Sequence, residues 1–175
     1  LAISGLLSPK IGGPSEYPYQ PEGLWDEISN KSWRYKYKQE PGEGLYRRSL
    51  YTIWKRTSAP PSMQIFDTGD RSVCTVKRRE TSTPLQALVL LNDPQFVEAS
   101  YVLAENVINE VGSDVEQQLQ RAFKLSTGRT PMDRELVILK KFLNDELARF
   151  LAKKEDAVAF LSMGETKIKD SSDRV

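Results

Sequence analysis

The chain has 175 residues, of which 25 are Lys or Arg and 24 are Asp or Glu, so its formal net charge is +1. This length allows one domain with a hydrophobic core, and the near-neutral charge argues against a nucleic-acid-binding domain. Histidine is absent, which excludes Ser-His-Asp and Cys-His catalytic sites within the chain and any histidine-ligated zinc, copper or haem.

The first 42 residues are rich in proline, glycine and aromatic residues. Residues 1–7 have the pattern of the end of an amphipathic helix, so we expect the chain to be a piece of a longer protein. Residues 8–42 are predicted to form an irregular arm, with one or two helical turns in residues 21–30. The aromatic side chains predict that this arm is pinned to the rest of the domain. They are Tyr17, Tyr19, Trp25, Trp33, Tyr35 and Tyr37.

Residues 43–57 carry apolar residues at helical spacing with basic residues on the opposite side, which predicts an amphipathic helix. The helix is expected to end before Pro60 and Pro61, because a proline disfavours helical backbone in the residue before it. The following residues, 62–77, are predicted to be irregular, with short extended pieces at 63–66 and 73–76.

Two helix starts follow in close succession. Thr83 and Gln86 have the spacing of a capping box, which predicts a short helix to Leu91. Asp93 is predicted to cap a longer helix that ends at Gly112. The apolar stripe predicted for that longer helix is Val97, Tyr101, Ala104, Ile108 and Val111.

Two further helices are predicted after residue 112. Ser113, with Glu116 three residues later, is expected to start one that ends at Gly128. Residues 130–133 are expected to open the longest helix. Its predicted apolar stripe is Leu136, Leu139, Leu143, Leu147 and Phe150.

Capped amphipathic helices with short connections predict a mainly α fold, a small helical bundle with a long irregular N-terminal arm and loop. We expect a single helical domain over residues 1–164, made of the arm 8–42 and a helical body 43–164. Residues 165–175 are predicted to be a frayed polar tail. No membrane span is expected, since no apolar stretch approaches about 20 residues.

Three blocks of the sequence together resemble planctomycete-specific domain one, the domain of unknown function numbered 1553. The blocks are SGLLSPKIGGPSEYPYQPEGLW, then LYRRSLYTIWKRT with PPSMQIFDTGDRSVCTVKRRETSTPLQALVLLNDPQFVEAS, and finally STGRTPMDREL. The resemblance implies a large exported protein of planctomycetes and related bacteria, in which the domain follows cytochrome-c-like segments. It further implies a periplasmic or otherwise extracytoplasmic location, with other domains of the parent protein as partners. No cofactor is expected in this chain, and haem would be bound elsewhere in the parent.

Basic and aromatic residues form the first candidate binding group. Arg48, Trp54, Arg78 and Arg79, with Arg47 nearby, could bind a small anion or a carbohydrate, because guanidinium groups bind carboxylate, sulfate and phosphate and aromatic faces stack on sugars. The alternative is a solvated charged face that is paired with local acids.

The second candidate group is Asp67, Asp70 and Arg71, which surround a glycine turn. Two carboxylates and a guanidinium could provide a general acid, a calcium ligand pair or a substrate clamp. The spacing does not fit an EF-hand. The alternative is a turn in which the carboxylates accept backbone N–H groups while Arg71 pairs locally.

Cys74 is the only cysteine, and we expect it to be a small buried apolar residue. The alternative is a reactive thiolate favoured by the basic residues 77–79. No CxxCH haem-attachment sequence is present.

These patterns favour a non-catalytic ligand-binding or assembly module. The alternative is a hydrolase or redox-linked enzyme that acts on polysaccharide through carboxylates. The carboxylates considered for that role are Glu22, Asp26, Asp67, Asp70 and Glu80.

Overall fold

The computed structural model describes residues 1–20, 23, 37–54, 59–69, 74 and 76–166. Within these ranges the chain is mainly helical and its only extended pairings are two isolated bridges, which confirms the predicted mainly α fold. The chain divides into two compact units, which we call the arm unit (Leu7–Phe96) and the helical unit (Leu1–Leu6 with Val97–Val175). The α-helices described are α1 Pro61–Ile65, α2 Pro84–Asn92, α3 Pro94–Val111, α4 Val115–Thr127, α5 Asp133–Ala152 and α6 Lys154–Leu161.

The prediction of one amphipathic helix over residues 43–57 is wrong. Two short 3₁₀ turns, Gly42–Tyr46 and Ser49–Tyr51, stand in its place, and the backbone between them is extended at Arg47 (φ −72°, ψ 160°). Residues 55–58 lie outside the described residues. The extended break replaces helical hydrogen bonds with contacts to the arm.

The arm pairs with this segment in parallel. Ser8 N donates to Tyr46 O at 2.9 Å, and Glu16 N donates to Tyr51 O at 2.7 Å. Ile53 N donates in return to Glu16 O at 2.9 Å. Backbone groups that an α-helix would satisfy internally are therefore satisfied by a distant part of the chain.

Two of the aromatic side chains of the arm pack on each other, so these contacts join two parts of the arm and do not test whether aromatic residues pin it to the rest of the domain. Tyr17 and Tyr37 pack edge to face with ring centroids 5.4 Å apart. The Tyr37 hydroxyl donates to Pro18 O. Other predicted features of the arm lie outside the described residues, namely Trp25, Trp33, Tyr35 and nearly all of the helical turns expected in residues 21–30.

Helix α1 occupies part of a segment that was predicted to be irregular and extended. Pro61 is its first residue, a position where the fixed φ of proline suits a helix and its missing N–H is not needed. The prediction of an extended piece at 63–66 is therefore wrong, and most of the piece predicted at 73–76 lies outside the described residues. Helix α1 packs on α2, and Phe66 contacts Phe96 edge to face at 5.7 Å between centroids.

The predicted starts of α2 and α3 are confirmed. Thr83 Oγ1 accepts from Gln86 N at 3.3 Å while Thr83 N donates to Gln86 Oε1 at 3.1 Å, which is a complete capping box. Asp93 Oδ1 accepts from Gln95 N at 2.9 Å at the start of α3. Gly112 ends α3 with φ at 83°, a value that glycine adopts at little cost.

Helices α4, α5 and α6 pack in sequence, α4 on α5 and α5 on α6. The cap of α4 is Asp114, whose carboxylate accepts hydrogen bonds from the Glu116 and Gln117 amides, so the predicted cap at Ser113 is one residue early. Gly128 ends α4 with φ at 78°, as predicted. The predicted opening of α5 at residues 130–133 is also confirmed, whereas α6 was not predicted.

The buried apolar side chains of the helical unit come from α3. Among the described residues they are Val97, Ala99 and Val107, while the arm unit buries Leu45. The predicted stripes are therefore only partly right, because Ile108 is 40% exposed and Leu147 is 55% exposed. Periodicity shows that a helix has an apolar face, but it does not decide which of two adjacent apolar residues faces the neighbour.

Glu98 is the buried carboxylate of the helical unit, with 1% of its surface exposed. Its Oε1 accepts from Glu165 N at 3.0 Å and from Thr166 N and Oγ1, both at 2.6 Å. The first two residues of the predicted tail are thereby held on α3. Asn106 Nδ2 holds the N-terminal residues to the same helix by donating to Ser4 O at 3.0 Å.

Candidate functional site

Arg47 lies at the centre of the arm unit and is 6% exposed. Its Nη2 donates to Gly12 O and to Lys10 O (3.5 Å), and its Nη1 donates to Pro14 O (3.3 Å). The same Nη1 forms an ion pair with Glu16 Oε1 at 2.8 Å. The arm therefore wraps around one guanidinium group. The N–H groups of this guanidinium satisfy carbonyl groups of the arm that have no partner in a helix or sheet.

The Tyr51 ring covers one face of this guanidinium group. The Arg47 Cζ atom lies 3.8 Å from the centroid of the Tyr51 ring, a geometry that gives a cation–π attraction. The Tyr51 hydroxyl also accepts from Gly12 N at 2.8 Å. Arg47 Nε is buried and has no hydrogen-bond partner. Arg47 is thus an internal brace, because its guanidinium group is buried and engaged by the arm; a role for it in binding a small anion stays a prediction.

The carboxyl groups of Glu16 and Glu40 form a hydrogen-bonded pair beside Arg47. This bond lowers the pKa of Glu16, with the Arg47 guanidinium acting in the same direction. The bond to Glu16 raises the pKa of Glu40. Sequence reasoning missed this pair, because its members are 24 positions apart and neither residue belongs to a recognisable motif.

Asp67 belongs to a polar cluster at the end of α1. Its Oδ2 accepts from Thr81 Oγ1 at 2.6 Å and from Thr81 N at 2.8 Å. These two bonds, the side-chain one first, lower the pKa of Asp67. Arg78 donates from Nε to Asp67 O and from Nη2 to Phe66 O, both at 3.3 Å. Gln86 completes the cluster by donating to Ile65 O at 2.9 Å.

This cluster joins the end of α1 to the start of α2. Asp67 has a φ of 56°, which is uncommon for a residue other than glycine and is tolerated best by Asp and Asn. Both the carboxylate and the carbonyl of Asp67 are engaged by its own neighbours. The Asp67 carboxylate accepts a backbone N–H, as the turn alternative expects, but the donor is Thr81, 14 positions later. Asp70 and Arg71 lie outside the described residues.

The other candidate residues are distributed as follows. Arg48 and Arg79 are exposed and Trp54 is half-buried. Arg78 and Arg79 lie close enough to Asp67 to lower the pKa of its carboxyl group. Cys74 is exposed, so the expectation that it is buried is wrong. The described contacts thus bring Asp67 and Arg78 together, with the charge of Arg79 acting on Asp67, but they do not add Arg48 to that group.

Metal and membrane sites were sought in the described part of the chain. There, no group of three or more His, Cys, Asp or Glu side chains is arranged to hold a metal ion. In the same ranges no helix combines the length and the hydropathy needed to cross a bilayer.

Comparison with known protein families identifies a family for most of the chain. No curated protein and no solved structure matches the chain significantly. Residues 1–143, which include the arm, the Arg47 contacts, the Asp67 cluster and the first part of α5, match the profile of a family described as PSD1, protein of unknown function (DUF1553). Because the match covers more than half of the chain, the protein belongs to the DUF1553 family.

Proposed function

We propose that this domain is a non-catalytic assembly module, which packs an apolar helical surface against another domain of its parent protein. The observation that supports the proposal is the exposed apolar surface of α5. On that helix Val137, Ile138 and Phe142 are 68%, 66% and 64% exposed. Contiguous apolar patches of a few hundred Å² on a protein surface mark interaction sites.

The exposed residues of α5 occur in rows. Ile138 and Phe142 are four residues apart and therefore lie on one side of the helix, and the same spacing relates Leu147 to Leu151. Leu147 and Leu151 are 55% and 64% exposed. Apolar anchors at this spacing are what an amphipathic helix or a shallow apolar groove of a partner would cover. Burial on such a partner contributes about 25 cal/mol per Å² of apolar surface.

The arm unit has an apolar surface of its own on α2. Leu85, Leu88 and Leu91 are 52%, 56% and 70% exposed, and each is three residues from the next. A domain that leaves apolar rows outside in both units is suited to contact more than one surface. This property favours assembly over a single ligand site.

The arrangement of polar groups gives less support to a polysaccharide hydrolase. Glycoside hydrolases hold two carboxyl groups about 5 to 10 Å apart across a cleft. Glu16 and Glu40 are instead hydrogen-bonded to each other, and Asp67 is engaged by Thr81 and lies beside Arg78. These described carboxylates are engaged by other side chains and backbone groups of the protein itself.

The biological context of the proposal comes from the family resemblance. A planctomycete parent protein with cytochrome-c-like segments, exported from the cytoplasm, would supply the neighbouring domains that cover α5. Small anions and carbohydrates are the ligands to test against this assembly role.

The test compares the isolated domain with the complete product of its gene by hydrogen–deuterium exchange. We expect α5 to be better protected in the complete protein, and Phe142→Asp to remove that extra protection without changing the circular dichroism of the isolated domain. Lys141→Asp is the matched control, because Lys141 is exposed on the same helix. Equal protection of α5 in both proteins would contradict the proposal. Thermal stabilisation by an oligosaccharide, lost in Arg48→Ala or Trp54→Ala, would favour ligand binding instead.

A further inference from the structure

The Glu98 carboxylate on α3 accepts hydrogen bonds from one short segment of the same chain. Its Oε1 accepts from Glu165 N at 3.0 Å, and from Thr166 N and Thr166 Oγ1, both at 2.6 Å. Only 1% of the surface of Glu98 is exposed. Hydrogen bonds to an ionised group are stronger than neutral ones, and a buried acceptor that loses its donors destabilises the fold. Glu98 therefore depends on the residues that donate to it.

Residues 164–166 present their donors as backbone anion sites do. Gly164 has a φ of 95°, and the amides of the two residues that follow it both donate to the same oxygen of Glu98. Successive N–H groups that converge in a turn of this kind form a concave site for an anion. Here the anion is the side chain of Glu98.

The close approach to Glu98 selects glycine at the first position of the segment. A Cβ atom placed on Gly164 would lie 2.5 Å from Glu98 Cδ and 2.7 Å from Glu98 Oε2. The positive φ of Gly164 also disfavours residues that have a Cβ atom. Any other residue at this position would have to move away from the carboxylate.

The other two positions of the segment differ in what they select. Thr166 donates its hydroxyl as well as its amide, so the third position selects threonine or serine. The bond from Glu165 uses its amide, which every residue except proline has. The sequence that fits Glu98 is therefore Gly-x-Thr or Gly-x-Ser, where x is any residue except proline.

The segment reaches Glu98 from the end of α6. That helix ends at Leu161, and Ser162 and Met163 bond back to it. From Gly164 onward the backbone crosses to α3. A short segment of this kind can open locally while the helices remain packed, because its bonds to α3 are few.

We propose that α3 carries a binding site for a Gly-x-Thr or Gly-x-Ser segment, with Glu98 as the acceptor, and that residues 164–166 of the same chain occupy this site reversibly. The ligand of the site is a backbone turn with converging N–H groups, not an anion. When the attached segment is displaced, a separate peptide of the same sequence binds in its place. The site goes beyond the assembly role and does not depend on α5.

The test measures the binding of a fluorescent peptide, with the sequence of residues 162–166 and an amidated carboxyl end, by anisotropy. We expect it to bind the full chain with Gly164→Ala at least about tenfold more tightly than the unmodified chain, whose attached segment competes at a high effective concentration. Peptides with alanine in place of the glycine, or valine in place of the threonine, should bind at least about tenfold more weakly. A peptide with alanine in place of the glutamate is the control and should bind as well as the original.

Hydrogen exchange of the Glu165 amide gives a second measurement in the full chain. Thr166→Val should speed this exchange about tenfold or more, because Glu98 loses a hydroxyl donor and the segment opens more often. Thr166→Ser should leave the exchange nearly unchanged, because serine keeps the hydroxyl. Ser162→Ala is the matched control, since the Ser162 hydroxyl donates to Ala159 O on α6.

Three results of the peptide experiment would overturn the proposal. The peptide could bind neither chain, or bind both chains equally, or bind no better than its alanine-for-glycine counterpart. If the Gly164→Ala chain does not fold, the exchange measurement decides the question. Equal exchange of the Glu165 amide in Thr166→Val and Thr166→Ser would then overturn the proposal.

Discussion

The arm unit and the helical unit satisfy their backbone groups in different ways. In the arm unit, carbonyls of Lys10, Gly12 and Pro14 depend on the single side chain of Arg47. In the helical unit, α3 to α6 satisfy most of their backbone internally, and side chains act mainly at the helix ends. The stability of irregular backbone therefore depends on hydrogen bonds from a few side chains, whereas helical backbone spreads its hydrogen bonds over many residues. Side chains on the helices are then available to contact partners.

The largest effect predicted by this comparison is that of Arg47→Ala. Removal of the guanidinium leaves three carbonyls and the Glu16 carboxylate without their donor, and breaking a buried ion pair in this way costs about 3–5 kcal/mol. Urea denaturation should show this loss, with hydrogen exchange locating it in the arm unit.

Arg48→Ala is the matched control for Arg47. Arg48 is the next residue and is exposed, so its removal should change the free energy of unfolding by no more than about 0.5 kcal/mol. Equal effects of the two substitutions would show that the Arg47 contacts do not stabilise the arm unit.

A smaller loss is expected for Gly164→Ala in the helical unit. The new Cβ would lie 2.5 Å from Glu98 Cδ at a φ of 95°, and crowding together with left-handed strain costs about 2–3 kcal/mol. Since residues 164–166 can detach from Glu98 locally, exchange at the Thr166 amide should report the change before global unfolding does. Gly112→Ala meets no atom within 4 Å, so it should cost only about 1 kcal/mol of backbone strain.

A cap substitution should have a smaller effect still. Thr83→Ala removes the side-chain acceptor of the capping box of α2 and should cost about 1 kcal/mol. Thr83→Ser keeps the hydroxyl and should retain most of the stability. Thermal unfolding of the two variants side by side would measure the difference, and equal melting temperatures would count against the cap.

The smallest effect concerns an exposed ion pair. Glu135 is held by Arg129 at 2.6 Å, and this bond, followed by that from the Met132 amide, lowers the pKa of Glu135 to about 2. The contribution of Glu135 is therefore present above the ordinary glutamate pKa and is lost as the pH falls toward about 2. When the melting temperature is measured against pH, Glu135→Gln should slightly flatten its fall between the ordinary glutamate pKa and about pH 2.

The features that could be predicted from the sequence are those set by neighbours along the chain. The capping box of Thr83, the Asp93 cap and the glycine ends at Gly112 and Gly128 all depend on residues within four positions of one another. Arg47 could not be predicted in the same way, because the carbonyls that it binds belong to an irregular arm more than 30 residues earlier.

The candidate site shows the same limit. The turn alternative for Asp67 expects its carboxylate to accept a backbone N–H from nearby in the chain, whereas the N–H that it accepts belongs to Thr81, 14 positions later. Its partner Thr81 and the Glu16–Glu40 pair were missed, because each joins positions across chain whose path no periodic pattern specifies.

The brace formed by Arg47 also constrains the order of folding. Its bonds to Glu16 and Lys10 span 31 and 37 positions of the chain, and each can form only after the whole intervening loop has been made and closed. During synthesis the amino-terminal arm should therefore wait, open to proteases, until the Arg47 segment has left the ribosome. Limited proteolysis of stalled nascent chains of increasing length would show the arm becoming resistant only in those long enough for Arg47 to lie outside the exit tunnel.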